Sequence, residues 1–297
     1  MTLTPRAVVV HRHTELELLV ARHGTRQQAA FFLRTRERSL DEVDARHQAQ
    51  RAALGLVSQA IPLDWRRGQI ERGELARFQF AAEDIVVAVG QDGLVANVAK
   101  YLHGQPVIGI NPEPDRNPGV LVPHPPGAVA GLLHAAVAGD PGRAVEARTL
   151  VRATTDDGQT LIALNELYLG HPTHQSARYR IQANGAWERQ SSSGLLVGTG
   201  TGSTGWCRSA WLERRSPLPL PHPEDPDLCW FVREAWPSPA TSTELTEGVL
   251  GRQDRLTVVA ESDLVLFGDG IEADAVPLGW GQAVTFAVAD ERLHLLR

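Results

Sequence analysis

The sequence predicts an α/β N-terminal domain built on a parallel sheet, followed by a β-rich C-terminal domain. Two observations predict it. Between Asp84 and Asn111 an apolar run, a glycine turn, a helical stretch and a second apolar run follow one another. Strand–helix–strand order of this kind implies parallel strands joined by a crossover helix. Beyond about Arg143, short alternating runs broken by Asp-Gly and Asn-Gly turns replace helical periodicity, the pattern of a β-meander. A division near residue 140 is expected.

The elements follow in order. Ala7–Val10, "AVVV", reads as a short buried strand, and "ELELLVARHG" after it fits strand and helix equally. Ser39-Leu40-Asp41-Glu42 has the form of a helix start, a serine cap with acids in the first turn, and the helical pattern runs to about Ala60. "DWRRGQIERGELARFQF" is polar and carries Arg66, Arg67 and Arg72. A strand is expected over Ile85–Val89, a helix over Leu94–Leu102, a strand at Pro106–Asn111 and a short helix at Val129–Ala138. In the second half, hairpins are expected around Asp156-Asp157-Gly158 and Asn184-Gly185. "GLLVGT" reads as a strand, "WCRSAWL" as a helix opening, and the proline-rich stretch Ser216–Pro239 as a loop.

Composition narrows the function classes. The chain has 297 residues, 42% of them hydrophobic, enough for a sizeable core. A formal charge of -6 gives no uniformly basic surface, so a nucleic-acid partner is not expected. The two cysteines, Cys207 and Cys229, are far apart in sequence and form no CxxC pair, which fits a reducing compartment. No signal-peptide core is seen, and no apolar run reaches the roughly 20 residues of a membrane span. A soluble, cytoplasmic protein without a membrane partner is expected.

Three places can carry chemistry. The first is "GQDGL", Gly90 to Leu94, where an apolar strand turns into a helix. Ligands of parallel sheets sit beyond the carboxyl ends of the strands, and glycines there let phosphate approach the backbone. Asp92 at that point would repel phosphate. It is either a helix cap, or a group acting on the ligand as a general base on a hydroxyl or a magnesium contact. The second place is "SSSGLLVGTGTGSTGW", Ser191–Trp206, whose small hydroxyls and exposed amides suit ribose and phosphate. A flexible linker has the same composition. The third is Asn165-Glu166 inside an otherwise apolar strand. It is a pair that meets a ligand's ring edge and hydroxyls, or one at a strand end facing water. Other candidates are weaker. His171 and His174 in "HPTH" read as a polar loop because Pro172 interrupts helical spacing, and no metal-ligating set is assigned. "GTGTGSTG" lacks the lysine of a P-loop. Arg66, Arg67 and Arg72 either steer a triphosphate or form a solvated face.

Taken together and in order, Gly90-Gln91-Asp92-Gly93-Leu94, Asn165-Glu166 and Thr201-Gly202-Ser203-Thr204-Gly205-Trp206 resemble the three motifs of the NAD kinase family, G-G-D-G-[TS], N-[ED] and T-G-S-T-A-Y. The "PVIGIN" strand agrees. "ALNELYLGHPTHQSARYRI", "WERQSSSGLLVGTGTGS" and "SLDEVDARH" are most similar to its mitochondrial-type branch. The resemblance runs from about Ser39 to the C-terminus.

It implies a two-domain NAD kinase-like fold, residues 1–140 with 283–297 returning to them, and 141–282 forming the dinucleotide-binding part. It implies transfer of a phosphoryl group from ATP or another triphosphate, with Mg2+, to the 2′-hydroxyl of NAD to give NADP, by a homodimer or larger homo-oligomer. Residue by residue it implies Asp92 as the base, and Gly93, Asn165, Glu166, Thr201, Gly202, Ser203 and Thr204 at the dinucleotide. Gly90, Gln91 and Leu94 fall on the donor side, and Asp269-Gly270 matches a later family turn of less defined role.

Two positions depart from the family. Gln91 stands where the family has its second glycine, and Leu94 where it has a hydroxyl. The acceptor side is intact and the donor side altered. A catalytically weakened dinucleotide-binding regulator on the same fold, and a kinase for another hydroxyl substrate, are the competing readings.

Overall fold

The computed structural model describes residues 4–138 and 145–297. The chain divides into one unit of Met1–Glu146 with His294–Arg297, and a second of Ala147–Leu293. The boundary expected at 140 lies outside the described residues.

In the first unit, β1 (Arg6–His11) leads into α1 (Glu15–His23), α2 (Arg26–Arg34) and the long α3 (Leu40–Ala60). The ambiguous "ELELLVARH" is the helix α1. Thr14 and Glu17 form a reciprocal capping box at its start, and Gly24, at φ 85°, ends it. β2 (Arg66–Glu71), β3 (Asp84–Val89), α4 (Asp92–Ala99), β4 (Pro106–Ile110) and α5 (Val129–Ala138) follow. The strand order is β2-β1-β3-β4, all parallel. Ala7, Val9, Ile85, Val87, Ile108 and Ile110 pack one face of this sheet against Ala53 and Val57 of α3 and Leu132 and Leu133 of α5. α4, buried from Leu94 to Ala99, packs against β1, β3 and β4. Arg6 clamps the start of β3 to β1 through Asp84, which is fully buried, with N–O distances of 2.7 and 2.5 Å.

Sequence reading missed β2 and placed α4 two residues late. β2 is an edge strand with Ile70 as its single buried residue. It carries no apolar alternation and is made a strand by six paired residues of β1.

The second unit takes up β5 (Val145–Thr155), then β6 (Thr160–Ala163), β7 (Glu166–Gly170), β8 (Ala177–Ala183), β9 (Ala186–Ser192) and β10 (Gly194–Gly198). After α6 (Trp206–Glu213) come β11 (Leu228–Arg233), β12 (Glu247–Leu250), β13 (Leu256–Ala260), β14 (Leu264–Gly268), β15 (Ile271–Leu278) and β16 (Ala283–Leu296). One antiparallel sheet runs β12-β11-β10-β7-β14-β15, and β16-β13-β8-β9 pair antiparallel as well. Between them lies a core that includes Val151, Leu167, Tyr179, Val197, Trp230, Val258 and Phe286.

Both expected hairpins form, β5–β6 and β8–β9, the latter with Asn184 at φ 50° and Gly185 at φ 80°. The proline-rich segment corrects the expectation of a loop. Its Leu228–Arg233 is the buried strand β11, hidden in the sequence by the prolines around it. His294 and Leu295, near the end of β16 and themselves part of the first unit, pair parallel with β4. The fold class expected from the sequence stands: a parallel α/β part first, a β-rich antiparallel part second.

Candidate functional site

In the first unit, β3 is buried along its whole length and delivers its carboxyl end to Gly90, whose N–H donates to the Ile110 carbonyl. A Cβ on Gly90 would stand 3.2 Å from Cδ2 of Leu94. α4 begins at Asp92, and Gln91 occupies the cap position without a side-chain hydrogen bond. Asp92 is therefore not the helix cap that composition allowed. Its carboxylate reaches a different segment: Oδ1 accepts from Leu121 N at 2.7 Å and Val122 N at 3.2 Å, and Oδ2 from Val120 N at 3.1 Å. The aspartate clasps the loop that follows β4.

That loop is shaped by two residues the sequence reading did not single out. Asn111, 2% exposed, donates to the Asn117 carbonyl and accepts from Glu113 N. Gly119 takes φ 68°, and a Cβ there would stand 2.4 Å from the Val122 carbonyl oxygen. The signal in the sequence was the Asn-Pro pair at each end of "NPEPDRNPG".

The donor-side residues separate. Gln91 is exposed, while Leu94 is buried and presents no side chain to solvent. Gly93 is exposed, has no left-handed φ, and a Cβ there would meet no protein atom within 4 Å. Neither packing nor backbone conformation asks for glycine at that place, and helix propensity disfavours it.

In the second unit, three separated motifs converge. Asn165 precedes β7, and Glu166 sits opposite Gly198 of β10. The Asn165 carbonyl accepts from Thr199 N. Thr199 Oγ1 donates to the Leu164 carbonyl and accepts from Thr201 N and Gly202 N. From the other side, Asp269 accepts from Leu164 N at 2.8 Å and Asn165 N at 2.7 Å. It does so from a tight β14–β15 turn, with Asp269 at φ 52° and Gly270 at φ 66°. This gives Asp269-Gly270 a definite job: it fixes the backbone on which Glu166 is mounted.

The glycine-rich segment is no linker. A Cβ on Gly200 would lie 1.9 Å from the His222 carbonyl oxygen, and one on Gly202 2.1 Å from that of Asn165. Among its hydroxyls, Thr201 accepts from Arg148, Ser203 donates to the Thr199 carbonyl and Thr204 to the Thr201 carbonyl. Thr201 and Ser203 are buried, while Thr204 and Gly205 reach the surface.

Glu166 is the electrostatic exception. Among the described residues no side-chain or main-chain hydrogen bond is made to its half-buried carboxyl. Burial, and secondarily the charge of Asp269, push it up to about 7. Next to it lies the buried thiol of Cys207, which its neighbour Cys229 and burial push well above the usual range. Trp206 stacks on Tyr168 at 5.3 Å, with the Arg233 guanidinium over its ring, and remains 36% exposed.

His171 turns its Nδ1 to Thr173 within an exposed loop. A separate concavity of about 740 Å3, lined by His23 of α1, Phe31 and Phe32 of α2 and Arg36 just after it, contains none of the motif residues. Magnesium was an expected companion of the donor. With three amides on Asp92, and no group of three or more His, Cys, Asp or Glu placed to hold an ion among the described residues, the donor set does not fit a magnesium held by the protein's own ligands. Among the described residues no helix is long and apolar enough to cross a membrane.

No family model matches the chain. Over 145 residues it is 35% identical to a protein named NAD kinase from Methylococcus capsulatus, a match covering 46% of this chain and 47% of that protein. The chain thus spans about half the length of the curated relative it matches. The likeness supports the NAD kinase family, and the α/β and β-rich parts agree with that family's two-domain fold.

Proposed function

We propose that the chain is an NAD kinase-like phosphotransferase of the mitochondrial-type branch. It moves a phosphoryl group from a nucleoside triphosphate to the 2′-hydroxyl of NAD, giving NADP. One observation carries the reading: the Asn165-Glu166 pair, the Thr199–Thr204 segment and the Asp269-Gly270 turn assemble into a single hydrogen-bonded cradle, and its Glu166 carboxyl has no hydrogen-bond partner among the described residues. A carboxyl held there at a cost in burial suits the hydroxyls of a ribose. The half-length likeness to an NAD kinase is the second support.

Phosphoryl transfer asks the protein mainly for positioning and charge stabilisation. In this reading the cradle holds the dinucleotide, and the exposed stack of Trp206 on Tyr168 offers a flat aromatic surface beside it. Gly93 lets the phosphates approach the backbone where β3 becomes α4. Asp92 keeps the loop at 120–122 in place and offers the less engaged Oδ2 as proton acceptor. The protein works as a homodimer or larger assembly in the cytoplasm, without nucleic-acid or membrane partners.

The test is NADP formation with ATP, other nucleoside triphosphates and polyphosphate, alongside NAD binding, on the wild type and on Asp92→Asn and Glu166→Gln. Turnover that falls in both variants supports the reading. Tight NAD binding with no turnover from any donor points to the regulatory alternative, which Gln91 and Leu94 favour because they remove the family's donor-side glycine and hydroxyl. Absence of NAD binding refutes both.

A further inference from the structure

Three arginines stand in the polar segment around β2, and their surroundings separate them. Arg66 donates to the Thr4 carbonyl and pairs with Glu83 at 2.8 Å, and Arg67 donates to the carbonyls of Ser58 and Ile61. Both are spent at the amino end of the strand. Arg72 follows the carboxyl end of β2 and is half-exposed. Among the described residues its guanidinium has no hydrogen-bond or ion-pair partner.

β1 and β2 run parallel, with His11 opposite Glu71 as their last pair. One residue further along each chain stand Arg12, exposed and equally without a side-chain partner among the described residues, and Arg72. β3 is the other neighbour of β1, again parallel, and leaves by the same edge into Gly90-Gln91-Asp92-Gly93. The short 3-10 helix beginning at Arg72 packs against α4. The acid between the arginines does not neutralise them by pairing, because the Glu71 carboxylate accepts from His13 N and Gly73 N. Glu74 is the other carboxylate on this stretch and is exposed. Two unpaired, always-charged guanidinium forks on adjacent strand ends suit a linear phosphate chain.

We infer that Arg12 and Arg72 grip the non-transferred phosphates of the phosphoryl donor, replacing at the strand ends what Gln91 and Leu94 no longer supply in the turn. The inference rests on the phosphotransferase reading for its purpose, but not for its measurement. A nucleoside triphosphate and an inorganic polyphosphate present the same chain, so both belong in the test.

Isothermal titration of the full chain with inorganic tripolyphosphate, with ATP and with NAD is to be run at near-physiological salt on the wild type, Arg12→Gln, Arg72→Gln and, as a control, Arg66→Gln. Arg12→Gln and Arg72→Gln are each expected to weaken tripolyphosphate and ATP by about tenfold or more, the loss of a charge-assisted hydrogen bond. Arg66→Gln and all NAD affinities stay within about twofold. Tighter ATP than tripolyphosphate assigns a nucleoside triphosphate, and equal affinities an inorganic chain; either ranking upholds the grip. The inference is overturned if the wild type binds neither chain, if the two variants bind as the wild type does, or if Arg66→Gln weakens binding as much as they do. NAD binding lost while the arginine effects persist would defeat the dinucleotide reading alone.

Discussion

Glu166→Gln removes a titrating proton from the cradle while keeping the shape of the side chain. The native carboxyl sits at about 7 against its ordinary value of 4.5, raised first by burial and then by Asp269. A raised carboxyl binds its proton more tightly in the folded than in the unfolded chain. Its favourable contribution is complete below about pH 4.5 and is lost as pH rises through 7. Every tenfold difference in proton affinity between the folded and unfolded chain is worth about 1.4 kcal/mol, so above pH 8 the ionised Glu166 costs at most about 3 kcal/mol, and about half of that at pH 5.5. Solvent reaching the half-buried carboxyl reduces both figures. The stability advantage of Glu166→Gln over the wild type should grow by about 1–2 kcal/mol between pH 5.5 and 8. Urea unfolding of both proteins across that range, followed by tryptophan fluorescence, measures it. A difference that stays flat with pH, or that shrinks as pH rises, refutes the account of Glu166 as a desolvated, charge-repelled carboxyl.

Asp92→Ala strands three loop N–H groups, two of them on the buried residues Leu121 and Val122, and should cost about 1–3 kcal/mol in thermal or denaturant unfolding without any substrate present. Gly93→Ala should do the opposite. With no protein atom within 4 Å of the new Cβ, helix propensity raises stability by up to about 1 kcal/mol, while titration shows weaker triphosphate binding. Gly202→Ala forces a methyl to 2.1 Å from the Asn165 carbonyl oxygen, and circular dichroism melts should show a loss of about 3 kcal/mol or an unfolded second unit. A neutral Gly202→Ala would mean that the glycine-rich loop is loose after all.

Much of the frame was legible because local signals and tertiary demands coincide there. Ser39 caps α3 as its residue type announces, and "AVVV", "DIVVAV" and "PVIGI" form buried parallel strands because nothing but a covered sheet suits them. β2 and β11 escaped for opposite reasons. The first is an edge strand with polar residues, whose state is set by its neighbour. The second is apolar but framed by prolines that mark a loop to any local reading. The site residues were legible as types and positions, not as relations. "GTGTGS" reads alike as tether and as cradle until the Asn165 and His222 carbonyls are seen against its glycines.

By itself the sequence determined which residues would carry charge, hydroxyl or no side chain, and the order of strand and helix around them. Those properties belong to single residues and to their near neighbours along the chain. Tertiary structure alone decided that Asp92 holds the 120–122 loop rather than its own helix, that Asp269 braces Asn165 from more than a hundred residues away, and that Arg72 stays unpaired among the described residues while Arg66 and Arg67 do not. A hydrogen bond or an ion pair is a matter of a few ångströms, and that separation is set by the packing of distant segments, which no local pattern records.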